Sequence, residues 1–234
     1  MRNYVIINGV NSSTKKGLAI KELPPITKPL MRTNIETIDG RDGDVITKLG
    51  YSAYDKEMEI GLYGNYDINS IISFFSQSGT IVFSNEPDKY YYFEILDQID
   101  YQRIIKFGSA TIVFHCQPFK YKLNETAISL SVGDNTVTNA GNIYAKPTLT
   151  ITGSGTIEVS LGEVQIFSID LDENGETIVI DTSLLEAYNP TDNSLMNRQV
   201  MGDYDVFKLE SGDNIVALSG TITTASISNY TRWL

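Results

Sequence analysis

An all-β fold with one short helix is predicted by three features of this chain: its stock of strand-favouring residues, its turn-punctuated apolar runs, and a single stretch with helical spacing. Fourteen Tyr, nine Phe and eighteen Gly stand among 234 residues. Aromatic and β-branched side chains suit a pleated, half-buried surface, which favours strands over helices or disorder. At 41% apolar residues, the chain can bury one large core or two of roughly 120 residues each. Two compact domains are expected.

Residues 3–10 read as a first strand. A second starts at 18–20 and stops at Pro24-Pro25, because proline cannot donate to a ladder. A long hairpin is expected between Leu30 and Leu49, with strands at 31–38 and 45–49 flanking two Asp-Gly pairs, Asp39-Gly40 and Asp42-Gly43, which mark tight turns. Alternation follows at 56–63: Met58, Ile60 and Leu62 point one way, Glu57 and Glu59 the other. The one helix falls at 67–78. Asp67 can cap it, Ile68, Ile71, Ile72 and Phe75 recur at helical spacing, and Gly79 can close it. Strands resume at 80–83, 90–99 and 104–117, the last two separated by a polar turn at 100–102.

Composition shifts at 122–126 from aromatic-rich to Thr/Ser/Ile/Gly-rich, which places the domain boundary between 1–125 and 126–234. The second half offers short strands at 127–132, 136–139, 146–152, 156–161, 164–170, 176–181, 205–209, 214–219 and 222–227. Turn signals at Gly133-Asp134-Asn135, Gly153-Ser154-Gly155, Glu173-Asn174-Gly175 and Gly212-Asp213-Asn214 separate them. Such spacing predicts an antiparallel β-sandwich.

The charge balance excludes one class of partner. With 18 basic against 29 acidic residues, the formal charge is −11, and a net acidic surface repels phosphate backbones. A single cysteine, Cys116, excludes an internal disulfide and any multi-cysteine metal site, as expected of a protein folded in a reducing cytoplasm. The apolar run at 4–7 is too brief for a secretion signal, and no segment approaches the roughly 20 apolar residues of a membrane span.

Candidate chemistry is sparse. His115 and Cys116 are consecutive in an expected strand, so they face opposite ways and cannot form a dyad; Cys116 reads as a small core residue. Glu57 and Glu59 share a strand face, but glycosidase carboxylates flank a substrate from different elements, so a solvated face is the plainer reading. Asp170, Asp172, Asn174, Gly175 and Asp181 match several positions of a calcium loop, yet the flanks read as strands rather than helices and Asn174-Gly175 reads as a hairpin turn. No Gly-rich loop has the Lys and strand-to-helix setting that phosphate binding needs. Tyr90-Tyr91-Tyr92-Phe93 is split by strand alternation between core and surface. No catalytic residue, cofactor or metal site is expected.

The order of motifs is more specific than any one of them. Pro24-Pro25, Ile38-Asp39-Gly40-Arg41-Asp42-Gly43, the helix with Phe74 and Phe75, Asp88-Lys89-Tyr90-Tyr91 and His115-Cys116-Gln117-Pro118-Phe119-Lys120-Tyr121 follow one another. Asn139 to Asn142, Lys146-Pro147, Gly153 to Gly155, Ile180-Asp181, Gly212 to Asn214 and Tyr230 to Leu234 continue the series. Over its whole length the chain resembles the distal tail protein (Dit) family of siphophages infecting Gram-positive bacteria; it departs at Asp39, where the family pattern would have Pro.

The resemblance implies an N-terminal β-sandwich with a helix and an extended hairpin, and a C-terminal galectin-like β-sandwich. It implies a structural virion protein of the tail tip or baseplate, made in the host cytoplasm, whose first domain closes as a homo-hexamer ring continuing the tail tube. Implied partners are the tail-tube protein, a tail-associated tip protein and a receptor-binding protein, with viral DNA passing through the channel unbound. Arg41, Asp42 and Asp44 at the hairpin tip are the candidate subunit contacts. Two other readings are weighed beside it: a carbohydrate-binding module presenting Tyr188, Tyr204 and Trp233, and a wall-degrading hydrolase using Glu57, Glu59 or the Asp170 loop.

Overall fold

The computed structural model describes residues 2–99 and 101–234. They form two compact units, the first ending at Leu123 and the second covering Asn124–Trp233.

In the first unit, β1 (Val5–Ile7), β2 (Val10–Asn11), β3 (Leu18–Glu22), β4 (Met31–Thr37), β5 (Asp44–Tyr51) and β6 (Tyr54–Leu62) precede α1 (Ile68–Phe74). β7 (Gly79–Phe83), β8 (Lys89–Glu94), α2 (Tyr101–Phe107) and β9 (Ser109–Lys122) follow. The antiparallel strands run β2-β1-β7-β8-β9-β6-β3, while β4 and β5 make a two-stranded sheet of their own. The run expected as one strand at 3–10 is broken at Asn8-Gly9. Both residues have positive φ, 47° and 80°, the conformation an Asn-Gly hairpin turn requires.

Helix α1 is capped as its sequence suggests, with the Asp67 side chain accepting from the Ser70 N–H at 3.2 Å. It buries Ile71 and Phe74, followed by Phe75, in a core with Val5, Ile7, Met58, Ile60, Phe83, Phe93 and Phe114. Phe83 and Phe93 both meet the Phe114 ring edge-on, with centroids 5.8 and 5.4 Å apart. Pairs of this kind add about 0.5–1.5 kcal/mol beyond the area they bury.

A second helix corrects the expectation of a single one. Residues 104–107, expected as strand, belong to α2, and β9 starts only at Ser109. Gly108, at φ 69°, takes the left-handed position that ends a helix, and its carbonyl accepts from the Leu62 N–H at 2.9 Å. The apolar residues of this stretch carry no period long enough to separate strand from helix. Of the turn expected at 100–102, Asp100 lies outside the described residues and 101–102 open α2. Strand β8 likewise stops at Glu94, short of the expected Ile99.

The second unit contains β10 (Ile128–Leu130), β11 (Gly133–Asn139), β12 (Thr148–Leu161), β13 (Val164–Asp181), β14 (Glu186–Tyr188), β15 (Val200–Gly202) and β16 (Gly212–Ser228). The sheet runs β10-β16-β12-β13-β14, with β11 also on β16 and β15 also on β13. Two of the expected turns are bends inside long strands: residues 153–155 interrupt the β12 register, and 172–175 bulge from β13 opposite Ser154. Strand β16 is likewise interrupted around Gly220. The β12–β13 hairpin turn is at Gly162-Glu163 instead, since Leu161 pairs with Val164.

Crowding explains the glycines at the bend. A Cβ on Gly153 would stand 2.4 Å from the Thr221 carbonyl oxygen, and one on Gly220 2.5 Å from that of Thr156. Bending folds one sheet over itself, as bulges and strand glycines do at barrel corners. Leu149, Ile151, Ile178, Ile180 and Ile227 from one half of the long strands then share a core with Ile157, Val159, Phe167, Ile169, Val216 and Leu218 from the other. The strand expected at 205–209 does not form; Leu209 makes only an isolated bridge to Ala145.

Candidate assembly site

The β4–β5 hairpin is the part of the first unit least explained by its own packing. Its register pairs Thr33 with Lys48, Ile35 with Ile46, and Thr37 with Asp44, so these six side chains share one face. Ile35 and Ile46 are 58% and 60% exposed, and Ile38, Leu49 and Leu30 are also open to solvent. Among the described residues neither strand pairs with any strand but the other. An isolated two-stranded hairpin is marginally stable in water, and a long strand with an unpaired edge is a template for another chain.

Arg41, Asp42 and Asp44 lie where the sequence places them, at or beside the tip. The Arg41 N–H donates to the Ile38 carbonyl at 3.1 Å, and Gly40 and Gly43 turn the chain at φ 83° and 77°. Asp44 accepts from the Thr37 hydroxyl at 2.9 Å and so closes the last strand pair.

The base of the hairpin and the segment leading into it are held by other parts of the unit. Ser52 N–H donates to the Leu30 carbonyl at 2.8 Å. Asn85 Nδ2 donates to the Pro24 carbonyl at 3.0 Å and Lys56 Nζ to that of Pro25 at 3.2 Å. Lys56 is 3% exposed and its ammonium lies 4.9, 5.0 and 5.9 Å from the ring centres of Tyr91, Tyr54 and Phe83. Next to it, Glu86 accepts from Lys120 Nζ at 2.8 Å and from the Tyr91 hydroxyl at 2.5 Å. Burial holds the Lys56 ammonium below the usual lysine range and pushes the Cys116 thiol up to about 12. It also pushes the Tyr54 hydroxyl to about 12 and the Tyr91 hydroxyl higher still, the latter helped by its bond to Glu86.

The residues weighed for chemistry are not brought together. Cys116 is fully buried while His115, on the opposite face, pairs with Asp55 at 2.7 Å. Glu59 is bound to Lys21 at 3.1 Å on the surface. In the loop weighed for calcium, Asp172 accepts from the backbone and side chain of Asn174, both at 2.8 Å. No group of three or more His, Cys, Asp or Glu among the described residues is placed to hold a metal ion. Tyr204 packs inward on Phe167, ring centres 5.4 Å apart, rather than offering a stacking face. The buried Lys56, Glu86 and Lys120 carry no signal in the sequence, because an isolated charge in a strand looks solvated until its neighbours across the sheet are known.

The full chain matches the crystal structure of SPP1 Dit, with 100% of each chain covered, a TM-score of 0.70 and 17% sequence identity. By fold, the chain is Dit-like. SPP1 Dit is described as a paradigm of the hub adsorption apparatus in Gram-positive infecting phages. The phage P2 baseplate in its activated conformation with Ca supplies a second chain of related shape, with a TM-score of 0.52, 12% identity and 97% of each chain covered. No family model matches the sequence, and no curated protein does. The Dit fold here is mostly strand and spans both units.

Proposed function

We propose that the chain is a distal tail protein of a siphophage, a structural component of the tail tip without enzymatic activity. In this reading the first unit, taken in sequence as 1–125, closes into a hexameric ring at the end of the tail tube. The second, 126–234, is a galectin-like domain that projects from the ring. The ring links the tube, the tail-associated tip protein and the receptor-binding protein, and lets viral DNA through its channel.

The single observation that carries the ring is the β4–β5 hairpin, which among the described residues pairs with no other strand and exposes Ile35 and Ile46 on one face, set in a chain that matches a phage hub protein end to end. A hairpin of this length can add its strands to a neighbouring subunit, and a head-to-tail contact that closes gives a ring. The net charge of −11 suits a channel that DNA must cross without sticking.

Light scattering on the purified chain tests the proposal. The parent is expected at the mass of six chains, and Arg41→Glu combined with Asp42→Lys is expected to lower it. A parent that stays monomeric at all accessible concentrations contradicts the ring, and an unchanged mass in the double variant removes the tip from the interface.

A further inference from the structure

The connection at 23–30, between β3 and β4, belongs to no strand or helix. Prolines have no N–H to donate, so Pro24 and Pro25 themselves offer only their backbone carbonyls. Both carbonyls are held, and by side chains from elsewhere in the unit: Asn85 Nδ2 on Pro24 and Lys56 Nζ on Pro25. Lys56 lies on β6, the strand on which the chain re-enters the sheet after the hairpin. One buried ammonium therefore ties the outgoing segment to the returning strand. Asn85 sits beside Glu86, which accepts from both Tyr91 and Lys120, so one turn carries the second clamp and also fixes a wall of the aromatic cage around Lys56.

Packing alone does not account for Lys56. A methionine would fill the same space without desolvating a charge, and an ammonium out of water is costly unless it is compensated. Compensation comes from the three ring faces, the carbonyl it holds and the neighbouring Glu86 carboxylate. What the charge adds over a neutral chain of equal length is a directed hydrogen bond to the segment that leads into the hairpin.

We infer that Lys56 and Asn85 are positioning residues for subunit assembly, setting the direction in which the β4–β5 hairpin leaves the first unit. The inference rests on the ring reading above and deepens it. A hairpin already oriented in the free subunit spares the ordering cost that a swinging one would meet on association. The exposed face of Ile35 and Ile46 then arrives at its neighbour in one orientation.

The test separates orientation from assembly. Spin labels at Thr47→Cys on the hairpin and Ser73→Cys on α1 report the distance between hairpin and core, with labelled chain diluted in an excess of unlabelled chain; the native Cys116 is buried and takes no label. One narrow distance is expected in the parent. Lys56→Met and Asn85→Ala, singly and together, should lose that single maximum while near-ultraviolet circular dichroism of the core is retained. The same variants without labels should lose the six-chain mass at concentrations where the parent keeps it. An unchanged distance distribution overturns the clamp, and a lost maximum with the six-chain mass intact overturns its role in assembly. A monomeric parent sinks the ring reading instead, and the distance measurement still tests whether the clamp orients the hairpin. Should Lys56→Met fail to fold, Asn85→Ala alone decides, since it leaves the buried ammonium in place.

Discussion

Lys120 Nζ and Glu86 Oε1 stand 2.8 Å apart with only 6% and 9% of their side chains exposed. A buried pair of this kind gives little net stability when intact but is expensive to break, because the survivor is left as an uncompensated charge. Lys120→Met is therefore expected to destabilise the first unit by about 3–5 kcal/mol, and Lys120→Met with Glu86→Gln by less than the two single changes added together. Denaturant unfolding of the three variants checks this. Additive effects would show that the two groups do not act as a pair.

Alkali should act on the same region. In the unfolded chain, thiol and tyrosine hydroxyls ionise from their ordinary values of 9.0 and 10.0, whereas folding raises Cys116 and Tyr54 to about 12 and Tyr91 further. The stability these groups contribute is full below the unfolded values and is lost as pH rises towards the folded ones. Lys56 works the other way: its depressed value means that rising pH relieves the cost of burying its charge. Three groups against one give a net loss. The urea midpoint is expected to fall through this range, and to fall less steeply in Cys116→Ala. A midpoint that holds or climbs contradicts the assignment.

The hairpin should be dispensable to the folded subunit. Ile35 and Ile46 are mostly exposed, so Ile35→Ser with Ile46→Ser should change monomer stability by no more than about 0.5 kcal/mol per site, the usual range for surface positions. Assembly should nonetheless weaken or vanish in sedimentation velocity. A large loss of stability with assembly intact would mean that the hairpin face is covered within its own chain.

The bend in the second unit makes two glycines costlier to replace than a third. Gly153→Ala and Gly220→Ala would drive a methyl into backbone carbonyls and are expected to cost about 1–3 kcal/mol or more from overpacking. Gly155, at φ 66° with nothing within 4 Å of a built Cβ, should cost only the roughly 1–2 kcal/mol of a left-handed alanine. Thermal unfolding of the three variants compares them, and equal effects would refute the crowding argument.

Much of this architecture is legible in the sequence where local chemistry decides it. Asp67 caps a helix, Met58 and Ile60 alternate into the core, and the Asp-Gly pairs turn the hairpin. Legibility fails where one local signal serves two structures. Gly153, Gly155 and Asn174-Gly175 read as turns but lie in bends of continuous strands, because glycine answers both to positive φ and to close approach of another strand. The cage around Lys56 is invisible for a related reason: Tyr54, Phe83 and Tyr91 come from three strands, and only the sheet order brings them to one ammonium. Assembly is an expectation that the order of motifs carries and no single site does.

Negative-stain imaging of the purified chain, paired with a mass measurement on the same sample, tests the central claim most directly. Six-fold rings at the mass of six chains are the expected result. A monodisperse monomer with no ring in any field, at concentrations well above those used for imaging, would contradict it.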